Sequence, residues 1–187
     1  PYIEAIARAR AKNLTRAHHN CVAVHVRWTD KKEDGGVSAS IEYTVDHIPA
    51  ALDRLERRTG KSYQCLLILS DDDVAARRSL VAKLGDTYDV KPVSRLQGVF
   101  ASEMDYKIYR KKGHAYFERE VVQRDPQRAY AYSREVVIDI VTASLAADYL
   151  LGVGSSGVSQ ILAQLMGADR KVDANAIAIW QEDVLMV

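Results

Sequence analysis

Cys65-Leu66-Leu67-Ile68-Leu69 is an unbroken apolar run closed by Ser70 and three aspartates, Asp71 to Asp73. A strand with one wet face alternates polar and apolar residues. A run apolar at every position reads as a strand covered on both faces, which is the habit of parallel sheets. Upstream, Cys21-Val22-Ala23-Val24-His25-Val26 is a second run of strand-type residues, reached from an Ala- and Arg-rich stretch, Ile3 to Leu14, with apolar residues at helical spacing. Between the two runs, Ile41, Val45, Ile48, Leu52 and Leu55 recur at intervals of three and four. That spacing predicts an amphipathic helix, interrupted by Pro49 and stopped at Thr59-Gly60.

Downstream, Asp72 to Leu84 has helical composition and stops at Gly85, and Tyr88 to Val93 is a weaker third strand. Strand, helix, strand, helix, strand predicts an α/β fold: a Rossmann-like parallel sheet with helices on both faces. Tyr130 to Ala147 continues it as a helix through Val136, Ile140 and Leu145. Tyr149 to Val153 then reads as a strand, Gly152 to Gly157 as a turn, Val158 to Met166 as a helix and Ala176 to Trp180 as a last strand. Ser94 to Arg128 is polar and basic, with Lys107, Arg110, Lys111 and Lys112 near aromatic residues. A nucleic-acid patch would interleave residues in this way. A solvated insertion, with the cations balanced by Glu118 and Glu120, is the simpler account, and the chain reads as a single domain with a polar insertion at about 94–128.

The 187 residues are 48% hydrophobic and 27% charged, enough to bury a core, and the formal net charge is +1. No overall field selects nucleic acid or an anionic membrane, so any bound anion must be held by local groups. The most apolar region, Val136 to Val153, is broken by Asp139 and Asp148, and no stretch has the length of a membrane span. Cys21 and Cys65 read as small buried hydrophobes, and a disulfide framework is not indicated. A start at Pro1 without methionine leads us to expect a piece of a longer protein, with its leader, anchor or upstream domain outside this sequence. Asn13-Leu14-Thr15 matches a glycosylation sequon.

Ligands of doubly wound sheets lie outside the carboxyl ends of the strands. Three polar clusters fall there: His25 to Asp30, Ser70 to Asp73, and Gly152 to Gly157. Arg27 ends an apolar strand, and its planar paired donors match a phosphate; the competing role is a pair with Asp30 or Asp71. His25, two residues earlier, shares its face, although taken alone it would more often be a satisfied core histidine. Gly152-Val153-Gly154-Ser155-Ser156-Gly157 has the dinucleotide-fingerprint spacing between a strand and a helix. Glycines there permit close approach, and the hydroxyls of Ser155 and Ser156 with the helix-start amides favour an anion; a tight turn with a serine cap is the alternative. Only 30 residues follow Gly157, too few for a dinucleotide fold beginning there, so a mononucleotide phosphate fits better, although Asp173 lies near the expected acidic position. Asp71, Asp72 and Asp73 would suit magnesium or, more simply, a helix cap with neighbours that position Arg27. Asp139 stands inside an apolar helical stretch and needs a partner or ligand.

These motifs together resemble the GDP-fucose-binding half of the α-1,6-fucosyltransferase family, the core fucosyltransferases of N-glycans. His25-Val26-Arg27-Trp28-Thr29-Asp30-Lys31 is similar to the family's H-V-R-R-T-D-K, and Leu69-Ser70-Asp71-Asp72 to its A-T-D-D. Arg134 to Ile140, Ala147 to Leu151 and Gly154-Ser155-Ser156 resemble R-G-V-I-L-D-I, A-D-F-L-V and F-S-S. The resemblance implies the donor-binding half of a GT-B-like glycosyltransferase, inverting and metal-independent. It implies transfer of fucose from GDP-fucose to an oligosaccharide, the N-glycan core through an α-1,6 linkage, with no metal and no cofactor beyond the donor substrate. The acceptor half and the family's C-terminal SH3-like domain lie outside this sequence, so this piece alone is not expected to carry the full activity.

Carried over, the pattern implies that His25 and Asp139 read the guanine, while Arg27 and Ser156 hold the β-phosphate and stabilise the leaving GDP. Asp30, Asp71, Asp72, Ser155 and Gly157 complete the implied donor-binding set. The implied catalytic residues are Arg27, the motif lysine Lys31, and a carboxylate base that deprotonates the acceptor hydroxyl. Ungapped counting puts Gly35 at the base position, with Glu33 and Asp34 adjacent as the available carboxylates. Trp28 replaces the family's second arginine. Expected partners are GDP-fucose, an oligosaccharide or glycoprotein acceptor, and a second copy of the chain in a homodimer. Nucleic acid is not expected, and membrane attachment only through an N-terminal anchor. The expected compartment is then the Golgi lumen. The alternative expectation is a non-catalytic nucleotide-binding or scaffold domain of the same fold.

Overall fold

The computed structural model describes residues 2–17, 20–26, 41–70, 73–93, 124–152, 156–170 and 177–179. The chain runs α1 (Tyr2–Leu14), β1 (Cys21–Val26), α2 (Ile41–Thr59), β2 (Cys65–Ser70), α3 (Asp73–Leu84), β3 (Asp89–Pro92), α4 (Pro126–Ala146), β4 (Tyr149–Gly152), α5 (Gly157–Arg170) and β5 (Ile177–Ile179). The five strands form one sheet in the order β3-β2-β1-β4-β5, and every pairing is parallel. This is the expected Rossmann-like α/β arrangement, with the first strand at its centre.

Residues of β1 and β2 are buried at every position, and the strand period of two divides them between two cores. Val22, Val24, Val26, Leu66, Ile68 and Leu151 pack with Ile48 and Leu52 of α2 and with Leu80 of α3. On the other face, Ala23, Leu67, Leu69 and Leu150 meet Ala11 of α1, Ile140 and Ala143 of α4, and Leu162 and Met166 of α5. Continuous apolar strands therefore mean, as the sequence suggests, helices on both faces.

Two helix ends have a clear local cause. Gly60, at φ 65°, follows α2 in the left-handed conformation that favours glycine, and its N–H donates to Glu56 O at 2.8 Å. Pro49 lies within α2, which continues on both sides of it. The structure starts α4 four residues before the expected Tyr130, so the polar insertion ends earlier than the 94–128 reading. Asp125 is the reason: its carboxylate accepts from the backbone N–H groups of Gln127 and Arg128 at 3.0 and 3.3 Å, and Pro126 occupies the first turn, where its missing N–H costs nothing. The rest of that insertion, residues 94–123, lies outside the described residues. Among the described residues, no helix is long and apolar enough to cross a membrane.

The two cysteines depart from the expectation of separate buried thiols. Parallel register sets Cys21 directly opposite Cys65, and the two, both fully buried, are joined as a disulfide. Pairing between strands is a matter of register, which neither run reveals alone.

Near the amino ends of the strands, Tyr63 is only 3% exposed, shares a hydrogen bond of 2.8 Å with Thr59 Oγ1 and meets the Tyr149 ring edge-on. Burial pushes its phenol above the ordinary value of 10.0. A raised folded-state value means that stability is intact below about pH 10 and declines as pH rises, because the unfolded chain loses the proton first. The slope from this residue approaches about 1.4 kcal/mol per pH unit. Tyr63→Phe is expected to lose about 1 kcal/mol at neutral pH and to decline less than the wild type between about pH 9 and pH 11 in urea unfolding. Parallel declines in the two proteins would remove the assignment.

Candidate functional site

All five strands point one way, so the residues that end β1, β2 and β4 share one edge of the sheet. The chain leaves β1 toward α2 on one face, whereas β4 leads into α5 on the other. The gap between β1 and β4 is therefore the place where crossovers change side, and in open α/β sheets that crevice holds the ligand. His25 and Gly152 come to this crevice from neighbouring strands, and α5 begins above it.

His25 is 5% exposed, and its Nδ1 lies 2.7 Å from Oγ of Ser159, itself 2% exposed. Gly152 makes the approach possible. A Cβ on residue 152 would lie 2.7 Å from Ser159 Oγ, closer than packed atoms come, and a tight 3.1 Å from Ser159 Cβ. Strands β1 and β4 and helix α5 are thus tied at one point by a hydroxyl, an imidazole and an absent side chain.

Ser156 precedes Gly157 at the start of α5 and is fully buried. Its hydroxyl has no hydrogen-bond partner among the described residues, although its carbonyl accepts from Gln160 N–H at 3.1 Å. A buried hydroxyl without a partner is costly. Beside it, the first-turn amides of a 14-residue helix carry the positive end of the helix dipole. An anionic oxygen placed there would accept from both.

Asp139, 4% exposed, has a cation. Its Oδ1 accepts from Nη1 of Arg10 at 3.1 Å, while Nη2 of the same guanidinium reaches Oε2 of Glu135 at 2.8 Å. Arg10 comes from α1, which packs along α4 on the face that also carries His25. Sequence reasoning asked for a partner to Asp139 and passed over Arg10. The signal was its place beside Ala7 and Ala11, the buried residues of α1. Ser159 was also missed, being read only as part of a helix.

Of the site residues expected from sequence, the structure brings His25, Ser156 and Gly157 to one edge, and it gives Asp139 an ion pair with α1. Arg27, Asp30, Lys31, Glu33, Asp34, Asp71, Asp72 and Ser155 lie outside the described residues. Among the described residues no group of three or more His, Cys, Asp or Glu is arranged to hold a metal ion. Compared with known proteins, the chain matches no family model and no curated sequence.

Proposed function

We propose that this chain is the donor-binding half of a GT-B-like, inverting, metal-independent glycosyltransferase that moves fucose from GDP-fucose to an oligosaccharide, with the core of an N-glycan as acceptor. The observation that carries the reading is that His25 and the start of α5, where the buried Ser156 hydroxyl has no partner among the described residues, lie at the crossover between β1 and β4. An imidazole able to read a base and a helix end able to hold a phosphate are contacts suited to a nucleotide, and both lie beside this crossover.

On this reading the diphosphate lies over the start of α5, where Ser156 and the following amides donate to it, and Arg27 grips the β-phosphate. Negative charge grows on GDP as the glycosidic bond breaks, and donors already fixed in place stabilise it without rearranging. The resemblance assigns His25 and Asp139 to the guanine, with the carboxylate of Asp139 shared with Arg10. The acceptor hydroxyl attacks the sugar carbon opposite the leaving GDP, and Glu33 or Asp34 takes its proton. The Cys21–Cys65 bridge suits an oxidising compartment such as the Golgi lumen.

Titration calorimetry with GDP, GDP-fucose and UDP tests the reading. GDP and GDP-fucose are expected to bind and UDP to bind more weakly. Arg27→Ala is expected to weaken GDP by about 10- to 100-fold, the worth of a hydrogen bond to a charged group. Equal binding of UDP and GDP, or none of GDP at millimolar ligand, would sink the proposal. A second reading, a nucleotide-binding domain without transfer, is favoured by Gly35 at the base position and Trp28 in place of an arginine. It predicts GDP binding without turnover of GDP-fucose by the full-length protein. Turnover that collapses in Glu33→Ala or Asp34→Ala would exclude it.

A further inference from the structure

Ser159 is no part of the anion site, yet it holds the buried ring of His25 at the end of β1, beside the crevice. We propose that Ser159 is a positioning residue for His25: its hydroxyl donates to Nδ1 and so keeps the ring in the Nε2–H form. The role in recognition rests on the guanine-nucleotide reading above.

Three observations lead there. The contact of 2.7 Å is that of a good hydrogen bond, and both residues are at least nine-tenths buried. The bond is built into the backbone, because only a glycine at position 152 leaves room for the Ser159 side chain where it stands. Ser159 also lies one turn after Ser156 on the same helix, so α5 sets the base-reading ring and the phosphate-holding end at a fixed separation.

A neutral imidazole has one donor nitrogen and one acceptor nitrogen, and the partner of one decides the role of the other. A hydroxyl can take either part. Guanine presents acceptors at O6 and N7 along one edge. A ring that is to read that edge must offer a donor. With Ser159 donating to Nδ1, the proton sits on Nε2 and the ring offers one. Without Ser159, Nδ1 is left buried without that hydroxyl, and the contact that favours the Nε2–H form is gone.

The test is NMR of the ¹⁵N-histidine-labelled chain without ligand, with the His25 signals assigned by their loss in His25→Gln. Wild type is expected to show Nε2–H with an accepting Nδ1. Ser159→Ala is expected to change both ring-nitrogen shifts, Ser159→Thr to restore them, and Gly152→Ala, which crowds Ser159 in place, to disturb them. GDP affinity is expected to fall about tenfold in Ser159→Ala and to recover in Ser159→Thr, the effect of one buried hydrogen bond. A wild-type ring protonated at Nδ1, or ring signals unmoved in Ser159→Ala, would overturn the assignment. If wild type fails to bind GDP, the guanine reading falls by itself, and the ring signals still decide whether Ser159 positions His25.

Discussion

Replacing Arg10 with methionine is expected to lower the unfolding free energy by about 3–5 kcal/mol, the usual cost of taking one partner from a buried ion pair. Met fills much of the space of the arginine stem, so the loss is chiefly electrostatic. Glu135 and Asp139 would then face each other on α4 without the guanidinium that bridges them, at side-chain exposures of 11% and 5%. Arg134 cannot take over. It reaches Glu135 at only 3.4 Å and is 36% exposed, where an ion pair contributes little. Urea unfolding gives the measurement, and a triple variant supplies the control. With Arg10→Met, Glu135→Leu and Asp139→Leu together, the two carboxylates that faced the guanidinium are removed with it, and most of the lost stability should return. A loss below about 1 kcal/mol in the single variant would mean that water reaches this pair freely.

The second large effect is expected at the strand pair β1–β2. The Cys21–Cys65 bridge closes a loop with a sequence separation of 44, and restricting the unfolded chain to that extent is worth about 4 kcal/mol on the chain-entropy account. A Cys21→Ala, Cys65→Ala double variant should therefore unfold at clearly lower urea. It should still fold, because Ala23, Leu67 and Leu150 keep that face of the sheet apolar. Thiol titration of the wild type in guanidinium without reductant is expected to find no free thiol. Two free thiols there, with an unchanged midpoint in the double variant, would rule the bridge out.

The fold was legible because buried parallel strands carry their evidence in a single run: nothing polar interrupts Cys65 to Leu69, and one histidine interrupts Cys21 to Val26. Helices with one buried stripe were legible for the matching reason. The start of α4 was hidden because Gln127 and Arg128 look like loop residues, while Asp125 and Pro126, the actual signal, act through backbone geometry. The disulfide, the Arg10 pair and the Ser159–His25 bond share a different obstacle. Each joins residues far apart in sequence, with Arg10 and Asp139 separated by 129 positions and His25 and Ser159 by 134. Periodicity describes one element at a time and does not report which residue of another element stands opposite. The placement of His25, Ser156 and Gly157 at one sheet edge was legible because strand ends and helix starts follow from topology.

The strand order has a bearing on how the molecule is made. Of the described strands β1 is made first, and it ends at the centre of the sheet. One of its edges is matched by β2, but the other waits for β4; the Cys21–Asp148 contact that anchors that side spans 127 residues. Through most of synthesis a half-sheet of β1, β2 and β3 would carry an open edge of uncharged residues, the kind of surface that recruits other strands. Helix α1 is in the same position, since its partner α4 also arrives late and Arg10 must wait for its carboxylates. The nascent chain is thus expected to depend on chaperones until about residue 152 has emerged, and the crevice between β1 and β4 can close only after that.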